Sequence, residues 1–440
     1  MQNQLLEIEQ EVFTRRPILK EIAGKFSDIS LKDYVQKHWA VPDRAPDRIF
    51  LDVLKTEAKE IYNPAIAEAL VGQLLKTPLV STIDHLGIWN HPIFVNSDLI
   101  YSLHFGQEEL MPILATESVS LNNTSSWSAS LLWHEGNSLE RRSFLPDKFK
   151  TLPVYSAPRI KANDIDRFKA FTQGRFDELI KILDFAGTSS GYNFSVQACQ
   201  ASYKFWQAVF PSAPKAVYLP LETIVAKYLL KVLENEADVL SQLVLTKPGR
   251  ELWAKYFKDE HTFMFWGIDA KGRRQAIKAL PKNLLELIQK RKLYPSSPLC
   301  FAVLLKAGLA CVGGFTQTTW LSEVKEKLKA LLLEMNTDGY EVEGIPTKNF
   351  AESSLAWLEH DGQYIMPTAV DLYLTGQDYY NKYLKLAEQL SLGQSLQLAM
   401  PTIYSVVVAQ AGQGEFDLNN FQKLAFKNSG AEELLKGLEI

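Results

Sequence analysis

Residues 79–103 read LVSTIDHLGIWNHPIFVNSDLIYSL, and this stretch decides the fold. After Pro78 a short β-rich run opens it, a polar loop follows, and then comes an apolar segment that Asn96 or Ser97 would cap as a helix. MPILATESVSL, residues 111–121, supplies a second strand. Strand, helix and strand thus fall within about 40 residues, the scale of a parallel crossover unit. The same order recurs twice. AVYLPLETIVAKYLLKVL at 216–233 passes from strand to helix after Glu222, and LACVGGFTQTTWLSEVKEKLKALLLEM at 309–335 runs from an apolar strand through Gly313-Gly314 into a long amphipathic helix.

Two stretches read as hairpins. Residues 126–144 alternate Trp127, Ala129, Leu131 and Trp133 on one face before a turn at 135–137, and residues 261–277 alternate aromatics before a turn at 270–272. The first 75 residues read as helical. Leu5, Leu6, Ile8, Val12 and Phe13 recur at helix spacing, and Asn63 with Pro64 marks a helix start. Strands alternating with helices imply an α/β fold, a Rossmann-like mostly parallel sheet flanked by helices, with hairpin insertions. The expected division is a helical N-terminal layer at 1–75, the α/β core at 76–340 and a mixed C-terminal region at 341–440 packing on the core.

The composition narrows the function. With 440 residues, 46% hydrophobic and 22% charged, the chain can bury a large core. Nine Trp within 11% aromatic residues serve core packing, and the same residues line ligand clefts. A net charge of −4 with only short basic runs argues against a nucleic-acid partner. No apolar run approaches the roughly 20 residues that span a bilayer, and no basic segment leads into an apolar one, so a cytoplasmic protein without a membrane partner is expected. Cys199, Cys300 and Cys311 are too dispersed for a CxxC pair and read as buried reduced thiols.

In a sheet of this class, ligands collect where strand C-terminal ends meet helix N-termini. Three loops qualify: after Ile83, after Leu221 and after Val312. The first gathers Asp84, His85, His91 and Asn96, with Gly87 and Pro92 shaping the turn. Its acid–base candidates are Asp84, His85 and His91, and its substrate contacts are Thr82, Gly87, Asn90 and Asn96. The alternative is that Asp84 and Asn96 only cap backbone groups. A metal reading takes Asp84, His85, His91 and His104 as zinc or iron ligands, but their spacing matches no HExxH-type signature. At the third loop Gly313 and Gly314 permit close approach, and Thr316, Gln317 and Thr318 can donate to a phosphate or carboxylate, although the P-loop lysine is missing. Glu222 suits a substrate amine or simply the first turn of a helix. Tyr192 and Asn193 sit in a Gly-Ser-rich loop that contacts a ligand or merely connects elements.

TIDHLGIWNHPIFVNSDLIYSL, residues 82–103, resembles the start of the bacillithiol-biosynthesis cysteine ligase family (bacillithiol synthase), in which a TGQQ-type turn leads through a Gly-hydrophobic-aromatic stretch to Gly-Pro before a helix. Thr82 opens the stretch, Asp84-His85 stand in place of the paired glutamines, Gly87 matches, and His91-Pro92 replaces Gly-Pro. LYPSSPLCFAVLLKAGLACVGGFTQTTWL, residues 293–321, looks like a later segment of that family, with Gly313-Gly314 as its Gly-Gly turn. His85-Leu86-Gly87 also echoes the H-x-G-H loop of nucleotidyltransferases, with the second His displaced to His91.

What the resemblance implies is a ligase-like condensation of an amine with an amino acid or small carboxylate. In it His85 or His91 is acid/base, Asp84 orients the imidazole, Asn96 fixes the substrate and the Gly-Gly turn binds an anion. A metal-dependent hydrolase of small amides or esters, or a non-catalytic metabolite-binding protein, are the alternatives. The cofactor stays open between a nucleotide and zinc or iron, as does the oligomeric state. All of this requires two loops more than two hundred positions apart to meet at one rim of the sheet.

Overall fold

The computed structural model describes residues 2–440 apart from 125, 137, 186–192, 259–262, 278–279, 337–341, 361 and 409–417. β1 (Leu79–Ser81) and β2 (Leu110–Ala115) flank the helix Pro92–Ser102. The first hairpin, β3 (Ser130–Glu135) with β4 (Ser138–Ser143), follows at the expected turn. β5 (Lys215–Pro220) leads directly into the helix Leu221–Val232. The second hairpin, β6 (Phe265–Ile268) with β7 (Arg274–Ala276), gains a third antiparallel strand, β8 (Leu293–Pro295). β9 (Ala310–Gly313) precedes the helix Gln317–Glu334, β10 (Asn349–Phe350) is two residues long, and β11 (Leu358–His360) pairs with β12 (Gln363–Ile365).

The central sheet has the order β10-β9-β1-β2-β5 and every pairing in it is parallel. This is the Rossmann-like α/β architecture that the alternation of strands and helices implies. All six residues of β2 are buried, as a parallel strand covered on both faces requires. The chain steps outward from β1 to β2 to β5, then returns to place β9 on the other flank of β1. The switch point therefore lies between β1 and β9, with Ser81 in register with Val312. The edge strand β10 comes from beyond residue 340, so the sheet draws on the C-terminal region as well as on 76–340.

The helix after β1 begins at Pro92, and its cap is His91, whose ring Nδ1 accepts the Ile93 N–H at 3.3 Å. This corrects the expected cap at Asn96 or Ser97. Proline's fixed φ suits the first helical turn, so the helix starts as soon as Pro92 permits. Every residue of this helix except Ile93 is buried, because chain from the C-terminal region covers the side turned away from the sheet. Asn63 caps Pro64–Lys76 as expected, its Oδ1 accepting the Ile66 N–H. In the N-terminal helix Gln2–Arg15, Leu5, Ile8 and Val12 face the core, whereas Leu6 points to solvent. The three cysteines are buried free thiols, and no helix among the described residues is long and apolar enough to cross a membrane.

Candidate functional site

The two distant loops do meet. Gln317 donates its Nε2 to the Thr82 carbonyl at 3.0 Å and to Thr82 Oγ1 at 2.7 Å, tying together the C-terminal ends of β1 and β9. The Gly-Gly turn beside them is already filled. Glu352, two residues past β10, accepts the Phe315 N–H on Oε2 at 2.9 Å, and a Cβ added at Gly314 would stand 1.9 Å from that oxygen. Gly314 is there for this close approach. Burial pushes the Glu352 carboxyl up to about 8, against the lowering effect of the Phe315 bond. The expected ligand anion thus finds its place held by the chain's own side chain. Gly313 packs against the first turn of Gln317–Glu334, and Thr316 turns out to solvent, where it takes a bond from Arg16.

Most polar residues of the first loop are turned inward. Asp84 does not orient an imidazole: it lies against Asp98, and Asp98 Oδ2 accepts the Tyr218 hydroxyl at 2.7 Å. Burial raises both carboxyls, Asp84 well above its usual value and Asp98 to about 7, so the pair holds a proton near neutrality. The void beside them, lined by Asp84, His85, Trp89 and Tyr218 among others, measures about 10 Å³ and has room for roughly one water. His85 meets Asn123 and sets its ring edge-on to Phe94 at 5.6 Å, and burial lowers it to about 4.

The expected substrate contacts Asn90, Asn96, Gly87 and Glu222 are structural. Asn90 is fully buried; its Oδ1 accepts the Leu132 N–H and its Nδ2 donates to the Ser130 carbonyl, anchoring β3. Asn96 Oδ1 accepts the N–H groups of Leu355 and Ala356, both at 2.6 Å, which docks the C-terminal region on the helix. Gly87 lets Ser128 approach so closely that a Cβ would lie 2.5 Å from the Ser128 Cα. Glu222 cradles the loop after β2, accepting the N–H groups of Glu117 at 2.6 Å and Ser118 at 3.2 Å; burial, then the neighbouring Glu117 charge, pushes it to about 7. For Asn90, Asn96 and Glu222 a buried backbone group had to be satisfied, and the polar side chain does it.

The four residues of the metal reading are not brought together. His104 stacks on Trp39 with its Nδ1 3.4 Å from the Val35 carbonyl, while Asp84 faces Asp98. Among the described residues no group of three or more His, Cys, Asp or Glu side chains is arranged to hold a metal ion. Tyr192 lies outside the described residues, and Asn193 caps the helix Phe194–Val209.

His91 has a different setting. Together with Pro92 and Ile93 it lines a cavity of about 770 Å³ walled by the β3–β4 hairpin, residues 363–366 of the β11–β12 hairpin, and the helices Leu392–Val407 and Leu418–Ser429. That volume is within the range of small-molecule sites. His134 of β3 lines the same cavity, and its Nδ1 lies 2.7 Å from Asp371 Oδ2 while its backbone N–H donates to Oδ1 at 2.8 Å. Asp371 is the third residue of the helix Ala369–Leu374 and completes a capping box with Thr368, whose N–H it also accepts. Burial pushes the Asp371 carboxyl up, but the bonds from the His134 ring and backbone and from Thr368 outweigh it, and the net shift is downward.

Asp371 is therefore a carboxylate, and Nδ1 of His134 carries the hydrogen directed at it. In the neutral ring the lone pair is then on Nε2. A carboxylate fixing Nδ1–H in this way is the geometry of an oriented general base. Sequence reasoning passed over it. His134 read as one more hairpin residue, and the only local signal for its partner was the T-x-x-D of a capping box at Thr368. Comparison with protein-family models, with curated proteins and with solved structures finds no match for the chain.

Proposed function

We propose that the protein is an enzyme that performs general acid–base chemistry on a small polar metabolite in the cavity between the two hairpins, joining an amine to an amino acid or small carboxylate. The observation that carries this reading is the His134–Asp371 pair at the wall of a cavity of metabolite size. His134 Nε2 takes the proton from the amine as it attacks a carboxyl activated as an ester, thioester or acyl phosphate, Asp371 stabilises the imidazolium that results, and the leaving group departs with that proton. Glu140 and Lys423 line the same cavity with opposite charges, a pattern suited to a zwitterionic amino acid. The condensation itself is what the cysteine-ligase resemblance implies, and the base for it moves from the Asp84–His85 loop to β3.

The test is a thermal-shift screen of amino acids, amino sugars and small carboxylic acids, with and without ATP, followed by mass spectrometry of the mixtures that stabilise the protein. A condensed product formed by the native protein and lost in His134→Gln, with ligand stabilisation retained, supports the reading. Equal turnover by His134→Gln rejects it.

A further inference from the structure

His134 and His91 line one cavity with opposite tautomers. His134 Nδ1 faces the Asp371 carboxylate, which can only accept, so its hydrogen is on Nδ1 and in the neutral ring Nε2 is an acceptor. His91 Nδ1 faces the Ile93 N–H, which can only donate, so its hydrogen is on Nε2. We propose that His91 is a hydrogen-bond donor to a substrate oxyanion, and that the cavity therefore carries out acyl transfer at a carbonyl carbon. The inference rests on reading the cavity as the active site, and it names the reacting group there.

Three features hold His91 in this role. Its backbone cap fixes the ring and the tautomer together. Burial, with a smaller contribution from neighbouring His85, lowers it to about 4, so it remains neutral through the physiological range. The N-terminus of the helix Pro92–Ser102 starts at this residue and adds positive potential at its base. A neutral imidazole held in this way gives a hydrogen bond and keeps its proton.

The step balances without further reactants. The N–H or O–H nucleophile attacks the carbonyl carbon, its proton moves to His134 Nε2, and the carbonyl π pair moves to oxygen, where the His91 Nε2–H receives it. When the tetrahedral adduct collapses, the bond to the leaving group breaks, and the leaving group takes the proton back from His134. A carboxylic ester, thioester or activated amide is the substrate class that this pair of groups serves.

Two experiments on the full chain test the proposal. In ¹⁵N-histidine-labelled protein, long-range ¹H–¹⁵N spectra between pH 5.5 and 8 should show His91 as the neutral Nε2–H tautomer throughout; a protonated or Nδ1–H ring at pH 7 overturns the assignment. With p-nitrophenyl acetate as the acyl probe, His91→Asn keeps a cap for Ile93 but no longer reaches the cavity, and should lose on the order of 100-fold in kcat with little change in KM. His134→Ala should abolish turnover. If His134→Ala silences the protein and His91→Asn does not, the base stands and the oxyanion role falls. If the native protein does not turn over the ester, or neither variant changes the rate, acyl transfer is overturned. Melting curves of both variants separate loss of function from loss of fold.

Discussion

Gln317 Nε2 lies 2.7 Å from Thr82 Oγ1, although 235 residues separate the two in sequence. This contact and its companion to the Thr82 carbonyl stitch the loop after β1 to the helix after β9. Gln317→Ala removes both bonds and leaves the nearly buried Thr82 hydroxyl with its long bond to the Val312 carbonyl and its contact with the Cys311 thiol. The expected cost is about 1–2 kcal/mol, measured by urea denaturation, with no change in ligand stabilisation at the cavity.

Glu352 is sensitive to a single methyl group across the turn. Gly314→Ala puts a carbon 1.9 Å from its Oε2, so the side chain must swing away and abandon the Phe315 N–H. A loss of about 2–3 kcal/mol is expected from the displaced polar contact. Glu352→Gln keeps an acceptor for Phe315 and separates charge from shape. In the wild type the folded-state value, about 8, is above the unfolded one, so its contribution is complete below about pH 4.5 and is lost as pH rises through 8. Relative to wild type, Glu352→Gln should therefore gain stability across that window. Parallel pH profiles of the two proteins in urea rule this out.

The acid side belongs to His85 and His91. Both are lowered to about 4 by burial, so between about pH 6.5 and 4 the unfolded chain binds protons that the folded one refuses. Their share of the stability should fall as pH drops through that interval, by up to about 2–3 kcal/mol per pH unit when both rings contribute, while the raised carboxyls of Asp98, Glu222 and Glu352 act with the opposite sign. His85→Asn should therefore gain on wild type by up to about 1.4 kcal/mol per pH unit as pH drops through that interval, which changes the slope by that amount. An unchanged slope would mean that the rings are hydrated and titrate normally.

Asp371→Asn tests the dyad without emptying its place. The amide oxygen still accepts one of the two backbone N–H groups, from His134 or from Thr368, but the charge that fixes the His134 tautomer is gone. Turnover should fall by at least about 100-fold while ligand stabilisation persists. The capping of Ala369–Leu374 weakens at the same time, so a modest drop of about 1–2 kcal/mol in unfolding free energy accompanies it.

How much of this was written in the sequence varies with range. β1, β2, β5 and β9 are short apolar runs closed by turn residues, and each announced itself within a dozen positions. β10 is two residues long and carries no periodicity, so the edge of the sheet was invisible. The polar loop after β1 looked like a site because Asp84, Asn90 and Asn96 cluster there. Polar side chains that satisfy buried backbone groups have the same composition as polar side chains that bind ligands, and only the partners tell them apart. His134 and Asp371 are 237 residues apart on a hairpin and a short helix, a proximity created by how the C-terminal region wraps the core. No local pattern encodes it.

In doubly wound sheets the rim above the switch point is the customary berth of a nucleotide's phosphates. Here Glu352 is a resident tenant, moored just behind the edge strand. A phosphate seeking that berth would have to evict the Glu352 carboxyl from the Phe315 N–H, the donor that carboxyl already holds.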